Sequence, residues 1–388
     1  LVTAGIAIRA PKGVGKTHVL SRVRHRLQKD GQGIFIYLSE YGDLSQVKQQ
    51  FLQSVVASLR KPGIESVMQC QALMTWLINK AVKKSFTATR LTKRFPAEIA
   101  KKPHIIDQLT HRVHRLGDVV EAPDIIKALI WTLSSVHAPY ALNWLSGKEL
   151  TQAQSEKMGL PNINSEDQGA YAFNTAMQIL NLISYCSTPV VCFDELDGTE
   201  AGSDDDPLME GCSRAQGVAN LGKDIYNNLK RGVLVTTMYP TTWVSDIKAL
   251  PQAEAVEDRI AGKKIELRNL KVEDVIALIS RWLSDFYAEH EVTPPHKLYP
   301  FNEGEIQSTF ADERPTVRDV LQWCSNNFGP APDPISRLQK LYDDAINAVE
   351  EESFDDDAKI SSALIFCLQY VEGLTIEGVT IESITKEI

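Results

Sequence analysis

The sequence predicts an α/β fold, a parallel sheet flanked by helices, with a long helical insertion and a helical lid domain after it. Three observations point there. Residues 1–60 alternate between short apolar runs and helix-period segments, the pattern of a parallel sheet covered on both faces. Between about residues 60 and 185 candidate strands become few while helical spacing continues. Strand-like runs then resume within Thr188–Asp197 and at Gly232–Thr237, and from residue 271 the chain alternates helical segments with short loops.

Taken in order, Ile6, Ala7 and Ile8 form the first apolar run, and Val19, Leu20, Val23 and Leu27 give the first amphipathic helix. Gly33–Leu38 is nearly continuous apolar sequence, followed by Val47, Phe51, Leu52, Val55, Val56 and Leu59 at helical spacing. This β-α-β-α opening implies a right-handed crossover. Within the insertion, Lys80, Lys83, Lys84, Arg90, Lys93, Arg94, Lys101, Lys102, Arg112 and Arg115 stand against two acids, Glu98 and Asp107, a local balance of +8. Two readings of that run are open: a surface for nucleic-acid phosphates, or a solvated helix face or patch that docks on an acidic neighbour subunit. Trp144, in Trp144-Leu145-Ser146-Gly147, reads as a packing residue.

Chemistry concentrates at two places. The loop Ala10-Pro11-Lys12-Gly13-Val14-Gly15-Lys16-Thr17 lies between the first strand and the first helix. It follows the phosphate-loop (P-loop) pattern G-x-x-x-x-G-K-[ST] except that Ala10 replaces the first glycine, the smallest change available. Backbone N–H groups and a helix N-terminus there would cradle phosphates, Lys16 would reach the β- and γ-phosphates, and Thr17 would ligate Mg²⁺. The expected nucleotide cradle is Pro11 to His18. The second place is Thr188–Asp197, a buried-strand run ending in Asp194-Glu195. Open α/β sheets bind ligands at that edge; Asp194 is placed to hold Mg²⁺ and Glu195 to activate water as a general base. Together the two stretches read as a nucleoside triphosphatase. Gly232–Thr237 ends in hydroxyls, so Thr237 or Thr236 could meet the γ-phosphate and attacking water; both could equally be β-formers.

Glu257-Asp258-Arg259-Ile260 precedes a short strand at Lys264–Leu267. Lys271–Asp274 opens a helix with Val275, Ile276, Leu278, Ile279, Trp282 and Leu283, and Arg314–Leu321 opens another. The expected division is a core at 1–265, a lid at 266–345, and a linker with the start of a further segment at 346–388. The Asp204–Asp206 stretch reads as a solvent loop, and the Leu374–Glu377 and Val379–Ile381 runs as strands. The chain opens at Leu1 without Met, as a piece of a longer protein would.

Bulk properties exclude several classes. The chain has 388 residues, 43% hydrophobic and 23% charged, with net charge −9; nucleic-acid binding would need a local patch. Six scattered cysteines with no C-x-x-C pair make structural zinc or a disulfide framework unexpected. No apolar stretch is long enough to span a bilayer, so a cytoplasmic location is expected.

The order phosphate loop, acidic strand end, hydroxyl-tipped strand, Arg259 and Arg318 resembles the AAA+ ATPases, most closely the origin-recognition/Cdc6-like branch. The Trp144–Gly147 segment resembles, more weakly, that of bacterial phage-exclusion (BREX-type) ATPases. The resemblance covers about residues 1–345. It implies an ATP- and Mg²⁺-dependent motor or switch working as a homo-oligomeric ring on nucleic acid or a partner protein, and, through the weaker likeness, antiviral defence. It also implies that Arg259 is an arginine finger acting in trans and that Arg318, with Arg314 as rival, senses the γ-phosphate from the lid. A slowly hydrolysing assembly scaffold, or a DNA-loading initiator, would carry the same motifs.

Overall fold

The computed structural model describes residues 3–31, 33–102, 104–116, 122–163, 168–197, 212–311, 314–328, 375–376 and 379–380. The chain divides into two compact units, Leu1–Ser325 and Asn326–Ile388. The expected 345–346 boundary, the acidic runs Glu350–Glu352 and Asp355–Asp357, and the Asp204–Asp206 loop lie outside the described residues.

Five strands, β1 (Ala4–Arg9), β2 (Gly33–Leu38), β3 (Thr188–Phe193), β4 (Val233–Met238) and β5 (Lys263–Glu266), form one sheet in the order β2-β3-β4-β1-β5. Every pairing in it is parallel. The first four strands are apolar because helices cover both faces. Helix α1 (Lys16–Asp30) covers one face, where Leu20 packs with Ile8, Phe35, Val190, Cys192 and Val235. On the other face, α2 (Val47–Arg60) brings Phe51 to Phe193, ring centroids 6.4 Å apart. Truncating either ring would cost ~3–5 kcal/mol through the cavity left behind.

The insertion consists of α3 (Gln69–Val82), α4 (Ala88–Lys101), α5 (Ile105–His114), α6 (Pro123–Trp131), α7 (Ala138–Leu145), α8 (Gln152–Met158) and α9 (Gln168–Cys186). It is not a separate body, since its apolar residues join α2 and the sheet in one continuous core. Trp144 belongs to that core, 4% exposed, its indole N–H donating to the Pro161 carbonyl at 2.8 Å.

Helix α10 (Arg214–Asn228) leads to β4; a short α11 (Pro240–Thr242) and α12 (Ala253–Ile260) lead to β5. Here Gly5 of β1 has a specific cause: a Cβ would lie 1.9 Å from the Arg259 carbonyl oxygen. Three further helices follow, α13 (Val272–Glu289), α14 (Glu303–Phe310) and α15 (Val317–Asn327). Val275, Ile279, Leu283, Ile306, Phe310 and Val320 give them a core of their own. In the second unit, β6 (Thr375–Ile376) and β7 (Val379–Thr380) pair antiparallel, where the sequence reads as two strands. Among the described residues no helix is long and apolar enough to cross a membrane.

Candidate functional site

The loop after β1 turns through two left-handed glycines, Gly13 at φ +85° and Gly15 at φ +107°, a conformation that costs glycine little. Gly15 is the N-cap of α1 and offers no side-chain cap, so the first N–H groups of the helix are available to an anion. Ala10 fits its position: it is fully buried, its φ is not positive, and its N–H donates to the Met238 carbonyl at 3.1 Å. The missing first glycine therefore leaves the loop intact.

Strand order then sets the opposite wall. Loop and acidic tip come from β1 and β3, one strand apart, with β4 between them. Asp194 is 1% exposed and receives four donors. Thr17 Oγ1 at 2.8 Å and Tyr37 OH at 3.0 Å bond its Oδ2; the Glu195 N–H at 3.0 Å and Thr237 Oγ1 bond its Oδ1. The Tyr41 hydroxyl donates to the Asp194 carbonyl at 2.8 Å and pins the main chain. Burial, reinforced by the negative charge of Asp194, pushes the Tyr37 hydroxyl well above its ordinary range, so it stays a donor.

Glu195 sits at φ +58°, the left-handed region, which costs a non-glycine residue about 1–2 kcal/mol. Arg214 Nη1 donates to its carbonyl at 3.0 Å, and the exposed side chain lines the central cavity. Lys16 projects into the same space. Its Nζ lies 2.9 Å from the Ala10 carbonyl, 3.7 Å from Asp197 Oδ2 and 4.1 Å from the centre of the Tyr239 ring. Asp197 ties the tips of β3 and β4 by accepting from the Tyr239 N–H and, at 3.0 Å, from Thr242 Oγ1. Burial lowers the pKa of Lys16 and raises that of Asp197, and for both it outweighs their mutual attraction. An incoming anion would return to Lys16 the charge partner that burial makes scarce.

The cavity measures about 680 Å³, within the range of small-molecule sites. Of the cradle Pro11 to His18, every residue lines it except Val14, which is buried at 6% exposure. Val317 and Arg318 of α15 close one side, and the Arg318 N–H donates to the Gly13 carbonyl at 3.1 Å. Of the two candidates Arg318 is thus the one at the cavity; its rival Arg314 is exposed elsewhere and does not line it. Trp282 of α13, 44% exposed, faces His18 with ring centroids 6.1 Å apart.

The two threonines of β4 separate cleanly. Thr237 is committed to Asp194, so its hydroxyl holds the carboxylate and does not face the cavity; Thr236 Oγ1 is buried with no hydrogen-bond partner among the described residues. Arg259 does not line its own chain's cavity. Its Nε donates to Asn227 Oδ1 at 2.8 Å and its Nη1 to the Ala255 carbonyl at 2.7 Å.

Sequence reasoning missed Tyr37, Asp197, Arg214, Tyr239 and Trp282. Tyr37 left one trace, a hydroxyl near the end of an otherwise apolar strand, and Asp197 another, a third carboxylate three residues after Asp194. No family model and no curated protein sequence matches this chain.

Proposed function

We propose that this chain is an ATP-binding and ATP-hydrolysing motor or switch of the AAA+ type, working as a homo-oligomer in the cytoplasm. The observation that carries the reading is the Thr17–Asp194 hydrogen bond at 2.8 Å. It joins the first helix after the glycine loop to the acidic tip of β3 across an intervening strand. A hydroxyl and a carboxylate oxygen meeting beside a phosphate-sized loop are hard donors suited to Mg²⁺, which takes few protein ligands and completes its shell from water and phosphate.

Thr17 and Asp194 would hold the ion, which when bound would neutralise charge on the β- and γ-phosphate oxygens. Gly13 to Thr17 would bind the phosphates through backbone N–H groups, and Lys16 would exchange Asp197 for phosphate oxygen. Glu195, set towards the cavity by its left-handed backbone, would orient and deprotonate water. Arg318 would sense the γ-phosphate from the lid. Arg259 lies outside its own subunit's site and would exchange Asn227 and the Ala255 carbonyl for phosphate oxygen to complete a neighbour's, which is why an oligomer is part of the reading.

The test is a pair of variants. Lys16→Ala is expected to lose nucleotide binding. Glu195→Gln is expected to keep it while turnover falls about 10²–10⁴-fold, the usual contribution of a general base. Wild-type hydrolysis by Glu195→Gln refutes the mechanism. Absence of hydrolysis by the parent protein, with ATP still bound, favours an ATP-held assembly scaffold.

A further inference from the structure

We propose that the outer face of α4, continued by the end of α3 and by α5, binds the phosphate backbone of nucleic acid. This goes beyond the nucleotide reading and does not rest on it.

All ten lysines and arginines between Lys80 and Arg115 are exposed. On α4 the apolar residues Leu91, Phe95 and Ile99 join the core, while Arg90, Lys93, Arg94 and Lys101 occupy the opposite, wet face. Among the described residues, intramolecular acids do not answer these charges. Asp107 is paired with Lys127, from outside the run, at 2.9 Å, and Glu65 caps the Thr89 N–H at 3.1 Å. Among the described residues none of the ten makes an ion pair. Arg90 lies three and four residues from Lys93 and Arg94, spacings at which like charges destabilise a helix. A polyanion would relieve that repulsion.

Dimensions and chemistry favour nucleic acid over other anions. From Arg90 to Lys101 the helix rises about 16 Å, a length along which duplex DNA presents roughly ten phosphate charges. A lipid surface would call for an apolar stripe to insert, and the apolar stripe of α4 is already spent on the core. A protein partner would call for an apolar centre to the patch; no large hydrophobic residue of α4 or α5 is exposed, and Trp76 of α3, 40% exposed at the patch's edge, has Lys80 Nζ over its ring at 4.9 Å.

The test uses the full chain without nucleotide, short fluorescein-labelled DNA duplex and RNA of equal length, and the quadruple variant Lys93→Glu, Arg94→Glu, Lys101→Glu, Lys102→Glu. Each contacted phosphate adds about 0.9 to the slope of log affinity against log salt. The variant's slope is therefore expected to be shallower by about 3.6. Between 50 and 200 mM salt the wild-type protein should lose on the order of a hundredfold more affinity than the variant. Whichever nucleic acid binds more tightly names the source of the backbone. An unchanged urea midpoint shows that the variant folds, as expected for four exposed positions; the control Lys248→Glu, Lys297→Glu, on exposed lysines elsewhere, should bind as wild type. Equal slopes for wild type and variant overturn the proposal. So does an equal loss in the control, or binding to phosphatidylserine vesicles with none to either nucleic acid.

Discussion

Thr236 and Thr237 provide the sharpest internal comparison in the molecule. They are adjacent on β4 and both fully buried, yet successive strand residues face opposite sides, so their hydroxyls have opposite circumstances. Replacing Thr237 by the isosteric valine removes a donor from Asp194 Oδ1, leaving that oxygen the Glu195 N–H. A hydrogen bond to a charged group is worth about 1.5–3 kcal/mol, and that loss should appear in the urea midpoint with an unchanged m value. Replacing Thr236 by valine removes a buried hydroxyl that has no partner among the described residues, a group whose burial costs about 1–3 kcal/mol. Thr236→Val should therefore be neutral or stabilising, and the two variants should separate by roughly 1.5–6 kcal/mol. A second readout distinguishes function from stability. Thr237→Val should weaken Mg²⁺-dependent nucleotide binding about tenfold, as loss of a partner behind a metal ligand does, and Thr236→Val should leave it unchanged. Equal midpoint shifts, or a larger loss in Thr236→Val, would refute the assignment of the two hydroxyls.

Other perturbations follow from the same geometry. Arg259→Ala is expected to bind ATP normally and lose about 10³-fold in turnover; mixing it with Glu195→Gln should restore activity at interfaces that pair an intact Glu195 with an intact Arg259. Mixtures that stay inactive would remove the trans role. Gly5→Ala would drive a methyl into the backbone of α12, 1.9 Å from a carbonyl oxygen, and is expected to destabilise by more than about 3 kcal/mol, beyond ordinary overpacking; an unchanged melting temperature would contradict that packing. Burial pushes the Cys70 thiol up to about 11 from its ordinary value near 9, so it should resist thiol reagents at neutral pH until the protein unfolds. The unfolded chain releases this proton first, so stability supported by Cys70 should fall as pH climbs from about 9 to 11; rapid labelling of native Cys70 would count against its burial.

What could be read along the chain depended on interactions of short range. The strands β1 to β4, the glycine loop before α1, the helical character of residues 60–185 and the helices from residue 271 onward each follow from residue types a few positions apart. So did the identity of Lys16, Thr17, Asp194 and Glu195, because loop-helix and strand-end positions carry their chemistry in local sequence. The parallel arrangement was legible too, since crossovers of that length leave few alternatives. Which groups share the site was not. Tyr37 reads as one more strand residue until β2 is placed beside β3 and its hydroxyl is found 3.0 Å from Asp194. Arg318 and Arg314 were equivalent in sequence until α15 came to rest on Gly13, and Trp282 looked like core until α13 turned it to His18. Thr236 and Thr237 were interchangeable until the strand's pleat aimed one of them at a carboxylate. Sequence thus determined the elements and the chemical groups they carry, because those obey local sterics and periodicity. Only strand order, register and helix docking decided which groups meet, because contacts between residues far apart in sequence exist only once the chain has folded.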